Sequence, residues 1–377
     1  MLRRTLGRAS SSKQATAASR VGQRRSGLRL LVSFVLLLAV PCSVRAATSV
    51  LAESIGVPCD SLPEFKTDPH ETGSQGNQIS GVVRTMLEDR RGHLWFGTQN
   101  GPIRYDGTTL ICYRIRDARG HGVTVTSIAE DRAGHVWFGT DGGLTRYDGE
   151  RFTLFTTSDG LPSDQVWGVF VDRSGVLWIS TIAGVCRMEG DAFTPFPLPV
   201  ATRRNNERGV SSPWLAWLMT QDRAGNRWFA TEGSVYKYDG DSLTSISVMD
   251  SQSPTHVTSI LEDRRGHFWF ATQNKGLIHF DGEKFTNMTE QFELGGTEVG
   301  GLHEDRQGNI WFVVEHSGAY RYDGVSFTNF SVKQGLTSHA LHFVYQDTAG
   351  RIWAAGWLGA FRLDGERFVN VTRKGPW

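Results

Sequence analysis

The chain has 377 residues, 43 of them glycine, with 11% aromatic side chains and a formal net charge of +1; that length admits two ordinary domains or one large repetitive one. The net charge hides an asymmetry, because residues 1–46 hold nine basic residues and no acid, and the remainder carries 31 basic against 39 acidic residues, a net of −8. An acidic body excludes general nucleic-acid binding, which needs a basic footprint.

The chain opens on a targeting segment. Arg24, Arg25 and Arg29 precede an apolar run from Leu30 to Val40, then Pro41 and the small-residue site Val44-Arg45-Ala46. This order describes a secretory signal peptide over 1–46, with cleavage expected after Ala46 or Ala47. The run has eleven residues, short of the roughly 20 that a membrane-spanning helix needs. An uncleaved anchor and an organellar transit peptide are the alternatives. Pro41 stands where a lipoprotein signal at Cys42 would need a small residue, and Arg24-Arg25 is a weak twin-arginine signal. The mature protein is expected in the periplasm or outside the cell, with no stable membrane insertion.

Past an extension at 47–78, one unit repeats. Trp recurs at 95, 137, 178, 228, 269, 311 and 353, at spacings of 42, 41, 50, 41, 42 and 42. An Asp stands six residues before each Trp and a Gly three before, from Asp89 and Gly92 to Asp347 and Gly350. An acidic-Gly pair follows in every unit, Asp106-Gly107 in the first and Asp364-Gly365 in the last. Asp at the first and Gly at the fourth position mark a type I turn, and Asp-Gly is the strongest two-residue hairpin signal. In the second unit these turns join Val125 to Ile128, Val136 to Thr140, Leu144 to Tyr147 and a strand beginning near Phe152. Each unit is therefore a four-stranded antiparallel meander.

The residue two after the Trp is Gly97, Gly139, Ser180, Ala230, Ala271, Val313 or Ala355. Small residues there let an adjacent sheet approach, and the Trp on the same strand face fills the gap. Seven such units over 79–372 predict an all-β, seven-bladed β-propeller of four-stranded antiparallel blades, followed by a tail at 373–377. The units run in phase, so no strand need be exchanged between the ends. Leu62-Pro63-Glu64-Phe65-Lys66 reads as a further fourth strand for the outside of the first or last blade. Cys42 leaves with the signal; Cys59, Cys112 and Cys186 have no metal-site spacing and make no disulfide framework. Cys112 and Cys186 fall at strand positions, as small buried hydrophobes do.

The units resemble the two-component regulator propeller repeat, through the stretch from Val125 to Thr140 and through Gly160-Leu161-Pro162-Ser163-Asp164-Gln165-Val166. The resemblance covers about 79–372. It implies a ligand-sensing domain outside the cytoplasmic membrane, often for carbohydrate-related signals, of the kind found in hybrid histidine kinases and diguanylate cyclases. No immunoglobulin-like module, membrane helix or kinase follows the last unit before Trp377. The expectation is a stand-alone binding protein or a truncated sensor, with a small-molecule or glycan ligand and a membrane sensor kinase as partners.

The seven turn Asp read as hairpin caps, and the Arg after six of them as a solvated turn residue. No nucleophile elbow, phosphate loop, zinc helix or calcium loop occurs, so no catalytic residue, metal ligand or cofactor is assigned. The sequons at Asn287, Asn329 and Asn370 share one repeat position and count as one coincidence. Recognition should live where the units differ. At the second position of the first strand stand Arg84, Thr126, Trp167, Trp217, Thr258, Gly300 and His342. Close by, Gln165, His256, Glu298 and His339 also vary. The candidate ligand-binding set is Arg84, Gln165, Trp167, Trp217, His256, Glu298, His339 and His342. Trp167 and Trp217 are read as an aromatic platform for a sugar ring or, since they share strand parity with buried positions, as core. A buried Arg84 needs a partner. The alternatives to a binding module are a streptogramin-lyase-like or polysaccharide-lyase propeller using His256, His339, His342 and Glu298 as acid–base groups, and a protein-interaction scaffold. The longer spacing marks an insertion between Pro195 and Pro213 that carries Arg203, Arg204, Asn205 and Asn206.

Overall fold

Each repeat folds into the meander that its turns dictate. The computed structural model describes residues 56–59, 77–200, 212–249, 255–338 and 340–377. The signal segment, Leu62–Lys66, the insertion residues Arg203–Asn206 and His339 lie outside the described residues. Blade 2 shows the pattern: an inner strand Val125–Glu130, a second Val136–Thr140, a third Gly143–Tyr147 and an outer strand Phe152–Phe155. Seven such antiparallel sheets follow one another, each built from consecutive strands.

The turn Asp does more than cap a hairpin. In blade 2, Gly134 at φ +85° returns its N–H to the Asp131 carbonyl at 3.1 Å. Asp131 Oδ1 accepts the backbone N–H groups of Ala133 and His135, and Oδ2 accepts the indole N–H of Trp137 at 2.8 Å. The Asp-to-Trp bond recurs in all seven blades, at 2.7–3.1 Å. It satisfies the one polar atom of a side chain otherwise committed to the apolar interior.

Every Trp then fills the gap to the following blade. Trp95 packs with Val125, Phe138 and Phe152 of blade 2; Trp311 packs with Val344 and Phe361 of blade 7; and Trp353 closes the circle against Met86 and Phe96 of blade 1. The small residue beyond the Trp allows this approach, since a Cβ at Gly97 would stand 2.8 Å from Val125 Cγ1.

The ring closes without strand exchange. Gln78 bridges to Thr372 and Val82 to Trp357, the Leu358 N–H donates to the Gly81 carbonyl at 2.7 Å, and Trp377 stacks on Tyr105 at 4.4 Å. A fifth strand does lie outside blade 1, formed by Val57–Pro58 against Leu110–Cys112. It is held by a disulfide between Cys59 and Cys112, 53 residues apart. This corrects the reading of Cys112 as a free buried hydrophobe: cysteine spacing says nothing of which thiols the fold brings together. Cys186 is the buried free thiol expected, pushed up to about 12 by burial.

The Arg after the turn Asp is exposed, as a solvated turn residue is, and it also bonds to the next blade. Arg90 Nη1 donates to the Arg132 carbonyl of the next blade at 2.7 Å, and its backbone N–H donates to Glu130. Arg173 reaches the Arg223 carbonyl at 3.0 Å, Arg223 that of Arg264 at 2.8 Å, Arg264 that of Asp305 at 2.7 Å and Arg306 that of Thr348 at 2.6 Å. Thr348, which replaces Arg in blade 7, bonds to Glu88 of blade 1. These straps run round one face of the ring.

Candidate ligand site at the channel mouth

The opposite face collects the approaches to the inner strands and the turns between second and third strands. There the ladder slips in every blade. In blade 4 Ala216 faces Thr231 and Leu218 faces Ala230, leaving Trp217 unpaired. The same bulge skips Arg84, Thr126, Trp167, Thr258 and His342; in blade 6 it falls just after Gly300. A bulge re-aims the extra side chain out of strand alternation. Strand parity therefore does not make Trp167 and Trp217 core residues.

Thr marks one use of the bulge. The Thr126 hydroxyl reaches the Gly139 carbonyl at 2.9 Å and the Val166 carbonyl of the next blade at 2.8 Å. Thr258 repeats this with Ala271 and Val299. A cavity of about 430 Å³ is lined by Trp217, Thr258, Gly300 and His342, the second inner-strand positions of four successive blades, together with Glu298, Gln273, Glu315 and Trp357.

Three of the candidate residues, Trp217, Glu298 and His342, thus share one cavity. Two more adjoin it: Trp167 meets Trp217 at 5.5 Å between centroids and 64° between planes, and His256 meets Trp217 at 5.4 Å. The two indoles form an edge-to-face corner rather than a flat platform. Arg84 lies beside His342. Burial first, and then the Arg84 charge, push the His342 imidazole down to about 4, so it is neutral at physiological pH. Burial also lowers His256. Trp217 Nε1 and His256 Nε2 are buried with no hydrogen-bond partner among the described residues. Gln165 is exposed at the rim, where its carbonyl accepts the Ile182 N–H at 3.2 Å, and it does not line the cavity.

Gln273, Glu315 and Trp357 escaped the sequence reading. Each stands four residues after its blade's Trp, at a position that also holds Gln99, Asp141, Ile182 and Glu232. The backbone N–H of this residue donates to the residue before the inner strand: Gln273 to His256, Glu315 to Glu298 and Trp357 to Ala340, each at 3.0 Å. That rung places two variable side chains together at the mouth, and variability at a fixed distance from the Trp is the signal that finds them.

The family described as two component regulator propeller matches residues 77–100, 120–142, 160–183 and 251–274. The segments run over the inner strands, Asp turns and second strands of blades 1, 2, 3 and 5. No curated protein matches the sequence. Among solved structures, the chain is similar to the extracellular domain of a hybrid two component system from B. thetaiotaomicron, at 20% identity and TM-score 0.60, over 78% of this chain and 40% of that one. It therefore spans less than half of that domain. It is also similar to a streptogramin B lyase (15% identity, TM-score 0.58, 77% and 95% of the two chains) and to YCF48 bound to D1 peptide (10%, 0.55, 80% and 98%). At such identities the likeness is one of fold. One frame repeats in all seven blades of this propeller, and four of them match the two component regulator propeller family.

Proposed function

We propose that the chain is a non-catalytic, extracytoplasmic recognition propeller that takes a small polyhydroxylated ligand, a mono- or disaccharide, at the channel mouth. The observation that carries this reading is the convergence on one cavity of the second inner-strand residues of four successive blades. Its volume falls within the roughly 300–1,000 Å³ span of small-molecule sites. Trp217 and Trp357 offer apolar faces, and Glu298, Glu315 and Gln273 offer hydrogen-bond partners for hydroxyl groups. The unpaired indole N–H of Trp217 suits a ligand that brings an acceptor, and the unpaired His256 Nε2 can donate or accept. A disulfide supports export to an oxidising compartment, and no helix among the described residues is long and apolar enough to cross a membrane. The relatedness to extracellular domains of two component systems supports a signalling context, with a membrane sensor kinase as partner.

A lyase reading needs a histidine paired with a carboxylate at this mouth. The imidazoles of His256 and His342 are lowered by burial and, for His342, also by the Arg84 charge, with no carboxylate among the causes. Calorimetry with a panel of neutral mono- and disaccharides tests the proposal. Binding that weakens at least about tenfold in Trp217→Ala and Glu298→Gln supports it. Binding unchanged in both variants, or turnover of a bound sugar, contradicts it.

A further inference from the structure

Blade 5 departs from the repeat at the Asp turn, on the face opposite the cavity. In blades 1 and 2 the residue two before the Trp is a His whose Nδ1 meets the turn Asp Oδ2, His93 with Asp89 at 3.0 Å and His135 with Asp131 at 2.9 Å. In blades 4 and 6 it is Asn, which donates to the same oxygen. On the third strand, opposite the Trp, blades 1, 2 and 6 carry Arg104, Arg146 and Arg321, whose guanidinium lies over the indole at 5.6–5.8 Å.

Both features change together in blade 5. The Arg position is His279, whose ring stands 4.3 Å from Trp269. His267 turns from the turn Asp, so that its Nδ1 faces His279 Nε2 at 3.1 Å. Asp263 stays in place, with Oδ1 on the backbone N–H groups of Arg265 and His267 and Oδ2 on Trp269 Nε1 at 3.0 Å. One ligand atom from each of Asp263, His267 and His279 lies within 4.8 Å of the others.

We propose that Asp263, His267 and His279 form a transition-metal site of the zinc class. A tetrahedral ion with nitrogens at about 2.0–2.1 Å holds them about 3.3 Å apart, and the two imidazole nitrogens already stand at close to that separation. Two imidazoles and one carboxylate select zinc-like over calcium- or magnesium-like ions. Asp263 is buried and both histidines are half-buried, so the ion enters from solvent and keeps an open position there. Removal of the third-strand cation from above the indole also removes a charge that would repel the ion.

The repeat supplies test variants that other blades show to be compatible with the fold: His267→Asn copies blades 4 and 6, and His279→Arg copies blades 1, 2 and 6. Chelator-treated protein is titrated with Zn²⁺ by calorimetry, and its melting temperature is followed with and without the ion. A single site per chain that raises the melting temperature and weakens at least about tenfold in each variant supports the assignment, provided the metal-free variants melt as the parent does. Affinity falling on acidification, as protons compete for the imidazoles, is expected as well. No saturable binding, or equal binding in parent and double variant, overturns it and leaves His267 and His279 as a hydrogen-bonded pair.

Discussion

On the face of the Asp turns, seven blades solve one problem in one way: an Asp holds an indole, the indole fills the gap, and an Arg or its substitute ties the turn to the next blade. On the opposite face the second inner-strand positions, bulged in six of the blades, hold Arg84, Thr126, Trp167, Trp217, Thr258, Gly300 and His342. The first face repeats because every interblade gap has the same shape to fill. The second varies because a bulged residue is released from the ladder and from the apolar gap, so its identity is free to serve a ligand. Two tryptophan sets make the contrast measurable, one buried under turn Asp residues and one at the channel mouth.

The largest effect belongs to the repeated face. Trp353→Ala empties the gap that closes the ring and should cost about 3–5 kcal/mol, read from denaturant unfolding. A loss under about 1 kcal/mol would mean that closure does not depend on the indole. Next comes the staple of blade 1. Cys59→Ser frees a loop of 53 residues and should cost about 2–4 kcal/mol, an effect that reducing agent should reproduce in the parent and not in the variant.

The variable face should show itself through pH. His342 has its imidazole lowered to about 4 in the folded state, against about 6.5 when unfolded. The unfolded chain therefore binds the extra proton first, and stability rises from about pH 4 to about pH 6.5 and is flat above. His342→Gln should flatten that part of the curve, by up to about 3 kcal/mol at the acid end. An unchanged curve would place the acid sensitivity elsewhere. The smallest effect is that of one strap: Arg264 pairs with Glu304 at 2.6 Å but is about half exposed, so Arg264→Ala should cost under about 1 kcal/mol and leave sugar binding unaltered.

Blade number, strand order and closure were legible because a seven-fold frame averages away the ambiguity of any single strand. The turn Asp was readable as a cap from its offset to Gly, whereas its bond to the Trp needs the strand to return the indole over the turn. The Arg straps connect turns about 40 residues apart in sequence, as with Arg90 and Arg132, and local pattern cannot show that. Trp167 and Trp217 looked alternately core and site because period-two reasoning assumes an unbroken ladder, which the bulge interrupts. The pairing of Cys59 with Cys112 was hidden for the same reason as the straps. His267 and His279 were visible only as departures from the frame, which becomes meaningful once third-strand residues are placed over the indoles.

The most direct test replaces Trp217 with Thr, the residue that seals the bulge in blades 2 and 5, and measures unfolding free energy and binding of the neutral saccharide panel on the same protein. A change in stability under about 1.5 kcal/mol together with lost binding is the predicted result. A stability loss as large as that of Trp353→Ala, with binding retained, would contradict the division of labour between the two faces.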